Sequence, residues 1–153
     1  MSLAIRKVDS SNYKEILELR VAKGQESFIE TTKECLKEAS EDSRWEPVGI
    51  YDGDVPIGFA MYGLFLQEGK RGRVWLDRFL ISGDYQRRGY GEASIKLLLH
   101  HLYKKYEYDV IYLSVYDTNK GAIALYQKLG FYFNGELDIN QEKVMVINYK
   151  NRS

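Results

Sequence analysis

The chain is 153 residues long, 44% hydrophobic and 29% charged, with 22 basic and 22 acidic side chains and a formal net charge of zero. That length suits one domain with a real core, and the neutral balance gives no global field to attract nucleic acid. No apolar run approaches the roughly 18 residues that a spanning helix needs, no signal-peptide core follows Met1, and the single cysteine, Cys35, allows no internal disulfide; together these point to a cytoplasmic protein with no nucleic-acid or membrane partner.

Leu3 to Val8 is predicted as the first strand. Asn12 to Ala22 is predicted as a helix, with Ser11 or Asn12 as cap and Tyr13, Ile16, Leu17 and Arg20 along one face. A second helix is expected from Thr32 to Ser40, with Leu36 and Ala39 facing inward and Cys35 as a small core residue. Trp45 to Tyr51 and Val55 to Leu66 read as strands joined by the turn Asp52-Gly53-Asp54. Val74 to Ile81 is apolar except at Asp77 and Arg78, as expected of a central strand covered on both faces. Glu92 to Tyr106 is the clearest helix, with Ile95, Leu98, Leu99, Leu102 and Tyr106 on one stripe. Val110 to Val115 is another buried strand. Asn119 to Leu129 is a short helix closed by Gly130. Phe131 to Gly135 and Lys143 to Tyr149 are strands about the turn Asp138-Ile139-Asn140-Gln141. The order describes one α/β domain over residues 1–153, with mixed strand directions and a strand–helix–strand crossover around a glycine loop.

That loop is Gln86-Arg87-Arg88-Gly89-Tyr90-Gly91-Glu92-Ala93. Glycines let backbone N–H groups approach a ligand. The first turn of a helix adds unpaired donors at the positive end of its dipole. With Arg87 and Arg88, the segment reads as a pyrophosphate cradle. The Walker A spacing is absent. The dinucleotide loop needs glycine or alanine where Ser94 stands, and an acid ending the next strand, whereas Glu107 and Asp109 precede it. The pattern Gln/Arg-x-x-Gly-x-Gly/Ala is matched in full by Gln86 to Gly91. A tight strand-to-helix turn without a ligand is the alternative.

In the last predicted helix, Asn119 and Tyr126 stand seven residues apart, nearly two turns, so both project from one face. Alone, they also read as an N-cap and a core tyrosine. Taken together, the Gln-x-x-Gly-x-Gly loop, the long helix, the strand and the Asn-x6-Tyr-x3-Gly-Phe segment ending at Phe131 resemble the GNAT superfamily of N-acetyltransferases. The resemblance implies the GNAT fold, a central mixed sheet with splayed parallel strands flanked by helices. It implies acetyl-CoA as cosubstrate and no metal. The loop amides of Arg87, Arg88, Gly89, Tyr90, Gly91 and Glu92 would then bind the coenzyme A pyrophosphate. The backbone of Phe79, Leu80 and Ile81 would pair with the pantetheine arm, Asn119 would contact the cofactor, and Tyr126 would act as general acid near the sulfur.

A narrower resemblance, to bacterial spermine/spermidine acetyltransferases, rests on Val48-Gly49, Gly58 to Phe65, Gly72 to Phe79, Asn134 to Asp138 and Gln25 to Leu36. It implies a polyamine substrate and a homodimer. An alkylammonium has a pKa of about 10.4 and must lose a proton before it attacks a thioester. Asp77, which interrupts a buried strand and matches an acid of these relatives, is the candidate anchor for that step. From Glu26 to Glu46 there are seven acidic side chains against three basic ones, a local charge of −4 suited to a polycation. Glu26, Glu30 and Glu34 recur every four residues, and Glu26 or Glu30 is expected to hold a distal ammonium. A solvated helix face is the alternative. Glu136 and Asp138 are expected to add negative charge. The competing functions are acetylation of another amine, such as an aminoglycoside, an amino acid or a protein terminus, and a non-catalytic acetyl-CoA-binding module. Tyr126 argues against the last, since a binding domain needs no acid there.

Overall fold

A computed structural model describes residues 1–19 and 32–149. Period-two alternation builds its sheet. Along Val55–Phe65, Ala60 and Tyr62 enter one apolar cluster while Phe59 and Met61 enter another on the opposite face. Seven strands form: β1 (Leu3–Lys7), β2 (Trp45–Asp52), β3 (Val55–Phe65), β4 (Arg73–Ile81), β5 (Val110–Val115), β6 (Tyr132–Leu137) and β7 (Lys143–Asn148). They lie in the order β1-β2-β3-β4-β5-β7-β6, with β4 and β5 parallel and the other neighbours antiparallel. Among the described residues, four α-helices cover the sheet: α1 (Tyr13–Leu17), α2 (Thr32–Glu41), α3 (Tyr90–Tyr106) and α4 (Lys120–Leu129). Ile95, Leu98 and Leu102 of α3 and Ile123 and Leu129 of α4 fill the larger core, while Ile16 of α1 and Cys35 and Leu36 of α2 fill the smaller one.

The element order matches expectation, and the differences have local causes. α1 is described only to Leu17, so Arg20 and the rest of the predicted helix lie outside the described residues. Asn12 occupies the N-cap position without capping. Its Oδ1 accepts from the Asp9 N–H (2.8 Å) and its Nδ2 donates to the Lys7 carbonyl (3.0 Å), so the side chain serves the preceding turn. α3 begins at Tyr90, before the predicted Glu92, because Gly89 stands at its N-cap with a φ of 84° and turns the chain early. The sixth strand is shifted toward the hairpin tip. Phe131 instead turns into the core, its ring 5.6 Å from that of Tyr126. Among the described residues, no helix is long and apolar enough to cross a membrane.

Both edges of β4 are irregular toward its C-terminal end. Met61 pairs with Asp77 and Ala60 with Phe79, so Arg78 is an extra residue in the ladder, with a φ of 52°. Such a bulge re-aims the side chains around it. On its other edge, β4 pairs with β5 only at Val74–Ile111 and Trp75–Tyr112. Beyond those pairs the two parallel strands part.

Candidate active site

The parting of β4 from β5 opens a cleft of about 850 Å³, lined by Leu76–Ile81, Leu113–Val115, the glycine loop and one face of α4. That size lies within the roughly 300–1,000 Å³ usual for small-molecule sites. Ser82 N–H donates to Ile57 O on β3 (2.8 Å). By strand alternation, the main-chain groups of Leu80 then also face β3, while those of Phe79 and Ile81 face the cleft. The three residues expected to offer backbone pairing thus divide, with Phe79 and Ile81 on the open edge.

The glycine loop is held to this strand end. Gln86 Nε2 donates to the Ile81 carbonyl (2.9 Å), so the glutamine of the motif braces the loop. Arg87 (φ 61°) and Gly89 (φ 84°) then turn the chain into the 17-residue helix α3. Arg87, Gly89, Gly91 and Glu92 line the cleft. Arg88 and Tyr90 do not send their side chains there. Arg88 donates to the Asp84 carbonyl (3.4 Å) and lies against the rings of Tyr85 and Tyr90. Tyr90 Oη donates to Asp52 (2.6 Å), which raises the phenol's pKa and lowers that of the carboxyl. Any contact of these two residues with a ligand is left to the main chain.

Glu92 puts a carboxylate in the first turn of α3, where a pyrophosphate would meet it. Lys128 of α4 (3.0 Å) and Lys96 (3.3 Å) pair with it and hold its pKa below the usual range. Lys128 also lines the cleft, a cation that sequence reading missed because only the packing of α4 against α3 brings it there. A Cβ at Gly91 would meet only the Leu125 side chain, at 3.6 Å, so the cradle has room for a ligand at that point. These features fit a phosphorylated ligand: open main chain, a helix N-terminus, Arg87 and Lys128.

On the facing helix, Asn119 and Tyr126 both line the cleft. Asn119 is also the N-cap, its Oδ1 accepting from the Ala122 N–H (3.3 Å). The two readings of this residue are therefore compatible. Tyr126 is buried, and that burial, with the negative charge of Asp77, pushes its pKa up. The phenol keeps its proton across the neutral range.

Asp77 lines the cleft and accepts from Arg78 Nη1 (2.6 Å). Arg78 also reaches Glu38 of α2 (3.6 Å), which ties α2 to the bulge. Glu26 and Glu30, the expected distal acids, lie outside the described residues. Of the described acids in that segment, Asp42 pairs with Arg44 and Glu46 with Lys105. Glu136 is not in the cleft lining and forms a two-pronged pair with Arg73 (2.8 and 3.0 Å). Asp138 caps its own turn by accepting from the Asn140 and Glu142 N–H groups (2.8 and 2.9 Å). The hairpin acid that does line the cleft is Glu142, which sequence reading left unassigned between the turn and the last strand. Among the described residues, no group of three or more His, Cys, Asp or Glu side chains is placed to hold a metal.

Known proteins resemble this chain in sequence and in fold. The profile of the Acetyltransferase (GNAT) family matches residues 12–131. A Bacillus subtilis (strain 168) protein named spermine/spermidine N(1)-acetyltransferase is 51% identical over 150 residues, covering 95% of this chain and 98% of that one. A probable spermine N(1)-acetyltransferase of Bacillus subtilis subsp. natto has the same identity and coverage. Among solved structures, the Vibrio cholerae spermidine N-acetyltransferase in complex with CoA and spermine matches with a TM-score of 0.74 at 20% identity, covering 98% of this chain and 99% of that one. A Legionella pneumophila aminoglycoside N(6′)-acetyltransferase matches with a TM-score of 0.78 at 15% identity, covering 99% and 94%. At such identities these structures speak to the fold alone.

Proposed function

The chain belongs to the GNAT acetyltransferase family, and from that premise we propose that it transfers acetyl from acetyl-CoA directly to a primary amine of a polyamine such as spermine or spermidine. The observation that carries the reading is one continuous cleft that joins a phosphate cradle to a buried phenol and carboxylates. From Asp77 to Ile81, β4 spans about 13 Å at about 3.3 Å per residue, which separates the reacting end from the loop. The 51% identity to a protein named spermine/spermidine N(1)-acetyltransferase supports a polyamine over an aminoglycoside, although both structural relatives share the fold.

Acetyl-CoA supplies the acetyl group as an activated thioester. Gly89, Gly91 and the first turn of α3 would hold its pyrophosphate, with Arg87 and Lys128 offsetting the charge. The main chain of Phe79 and the N–H of Ile81, whose carbonyl accepts from Gln86, form the edge available to the pantetheine arm. Asn119 Nδ2, which has no partner among the described residues, is available to the cofactor. Donors from this strand end would stabilise charge developing on the carbonyl oxygen. Tyr126, protonated by its burial, would donate to the departing sulfur. Asp77 would anchor the reacting ammonium, with Glu26 or Glu30 holding a distal one.

One domain over residues 1–153, working in the cytoplasm without a metal, nucleic acid or membrane, completes the reading. A homodimer is part of it. Support comes from the edge strand β6 and its hairpin, where Tyr132, Leu137 and Ile139 are 56%, 55% and 94% exposed.

The test is thiol release from acetyl-CoA with spermine, spermidine, putrescine, lysine and an aminoglycoside. Polyamines should give the highest kcat/KM. Preference for the aminoglycoside or lysine would assign another amine. Acetyl-CoA binding without turnover of any amine would leave a binding module.

A further inference from the structure

We propose that Glu142 is the group that removes the proton from the substrate's ammonium before attack. The inference rests on the acetyl-transfer reading and adds to it a residue for a step that Asp77 is poorly placed to perform. Asp77 already accepts from Arg78 at 2.6 Å, so one of its carboxylate oxygens is engaged by a guanidinium.

Glu142 differs in its surroundings. It directly precedes β7, is half-buried, and lines the same cleft as Asp77 and Tyr126. The hairpin fixes it there. Its N–H donates to Asp138 Oδ1 (2.9 Å), its carbonyl accepts from the Asp138 N–H (2.9 Å), and Gln141 before it takes a φ of 65°. The charged groups that face it are Asp138 of its own turn, and Asp77 and Arg78 of β4. Burial and the two neighbouring carboxylates push its pKa up to about 7, against the opposing pull of Arg78. A base with that affinity is partly ionised at neutral pH yet holds a proton well once it has one.

The step balances. Glu142 carboxylate takes one proton from R–NH3⁺, which leaves R–NH2 and a carboxylic acid. The nitrogen lone pair forms the bond to the acetyl carbon, and the carbon–sulfur bond breaks. The sulfur receives a second nitrogen proton by way of the Tyr126 phenol, and Glu142 returns its proton to solvent. Nothing is oxidised or reduced.

The experiment compares wild type with Glu142→Gln, an isosteric change at a half-buried position, across pH and with two nucleophiles. In wild type, kcat/KM for the best amine should rise with pH through a limb near 7. In the variant that limb should vanish and kcat at neutral pH should fall roughly 10²–10⁴-fold, with acetyl-CoA affinity near wild type and a thermal midpoint no lower than wild type. Hydroxylamine, neutral at pH 7, needs no base, so the variant should lose less than about tenfold with it. Equal losses with both nucleophiles, an unchanged pH profile, or a raised KM at constant kcat would each overturn the role. Wild type releasing no thiol with any amine would overturn the acetyl-transfer reading itself, a result separate from the variant's.

Discussion

Tyr126 illustrates how one side chain serves packing and chemistry together. Its ring lies with Ile123, Leu129 and Phe131 in the core, and its burial keeps the phenol protonated. Tyr126→Phe should therefore leave the fold and acetyl-CoA affinity nearly unchanged while kcat falls roughly 10²–10⁴-fold. Single-turnover rates of the two proteins measure this, and near-equal rates would confine the residue to packing. Glu142 carries a linkage prediction of its own. Its folded pKa of about 7 lies above the ordinary 4.5, so its protonated form favours the folded state. That contribution is full below about pH 4.5 and is lost as pH rises through 7. Glu142→Gln removes the titration, so the variant should gain on wild type between about pH 5 and pH 8, by about 1 kcal/mol once solvent screening is discounted. Urea unfolding at the two ends of that range checks the sign. For the distal acid, Glu30→Gln should raise KM for spermine more than for a monoamine of similar length, since only spermine loses an ionic contact. Equal losses would remove Glu30 from the site.

At the scale of the element, the glycine loop combines two glycines with different duties. Gly89, at a φ of 84°, shapes the start of α3; Gly91 keeps the cradle open. Valine at position 89 must adopt a left-handed backbone, at a cost of about 1–2 kcal/mol. A Cβ at position 91 meets only the flexible Leu125 side chain, at 3.6 Å, and the position is helical, so the fold of Gly91→Val should persist. Gly91→Val is the cleaner probe: calorimetry should give at least tenfold weaker acetyl-CoA binding at an unchanged melting midpoint. Wild-type affinity in a folded variant would exclude the cradle. The bulge at Arg78 acts at the same scale. It breaks the alternation of β4 where the strand passes from sheet pairing to the open edge, and so places Asp77 in the cleft lining.

At the scale of the molecule, the sheet stays whole on its β1–β4 side and divides at β5, and that division makes the site. The opposite end closes on β6, an edge strand whose hairpin leaves Leu137 and Ile139 to solvent. A second copy covering this edge predicts a concentration-dependent dimer. Leu137→Asp with Ile139→Asp should shift sedimentation toward monomer without unfolding, because both side chains are exposed in the single chain. A wild type that is monomeric at all concentrations would leave the edge without that role.

The sequence by itself determined the element order, the loop at Gln86–Gly91 and the face shared by Asn119 and Tyr126. Each depends on neighbours in the chain, whose periodicity and turn chemistry are local. The tertiary structure alone decided which acids reach the cleft. Glu136 meets Arg73 across the sheet, Asp138 is taken up by its own turn, and Glu142 comes under the charges of Asp77 and Arg78 only when β7 pairs with β5 and brings the last turn to the cleft. The same holds for the divisions of labour within the loop, where Tyr90 finds Asp52 38 positions earlier in the chain. A carboxyl's affinity for protons depends on burial and on charges distant in sequence, so no local pattern carries it.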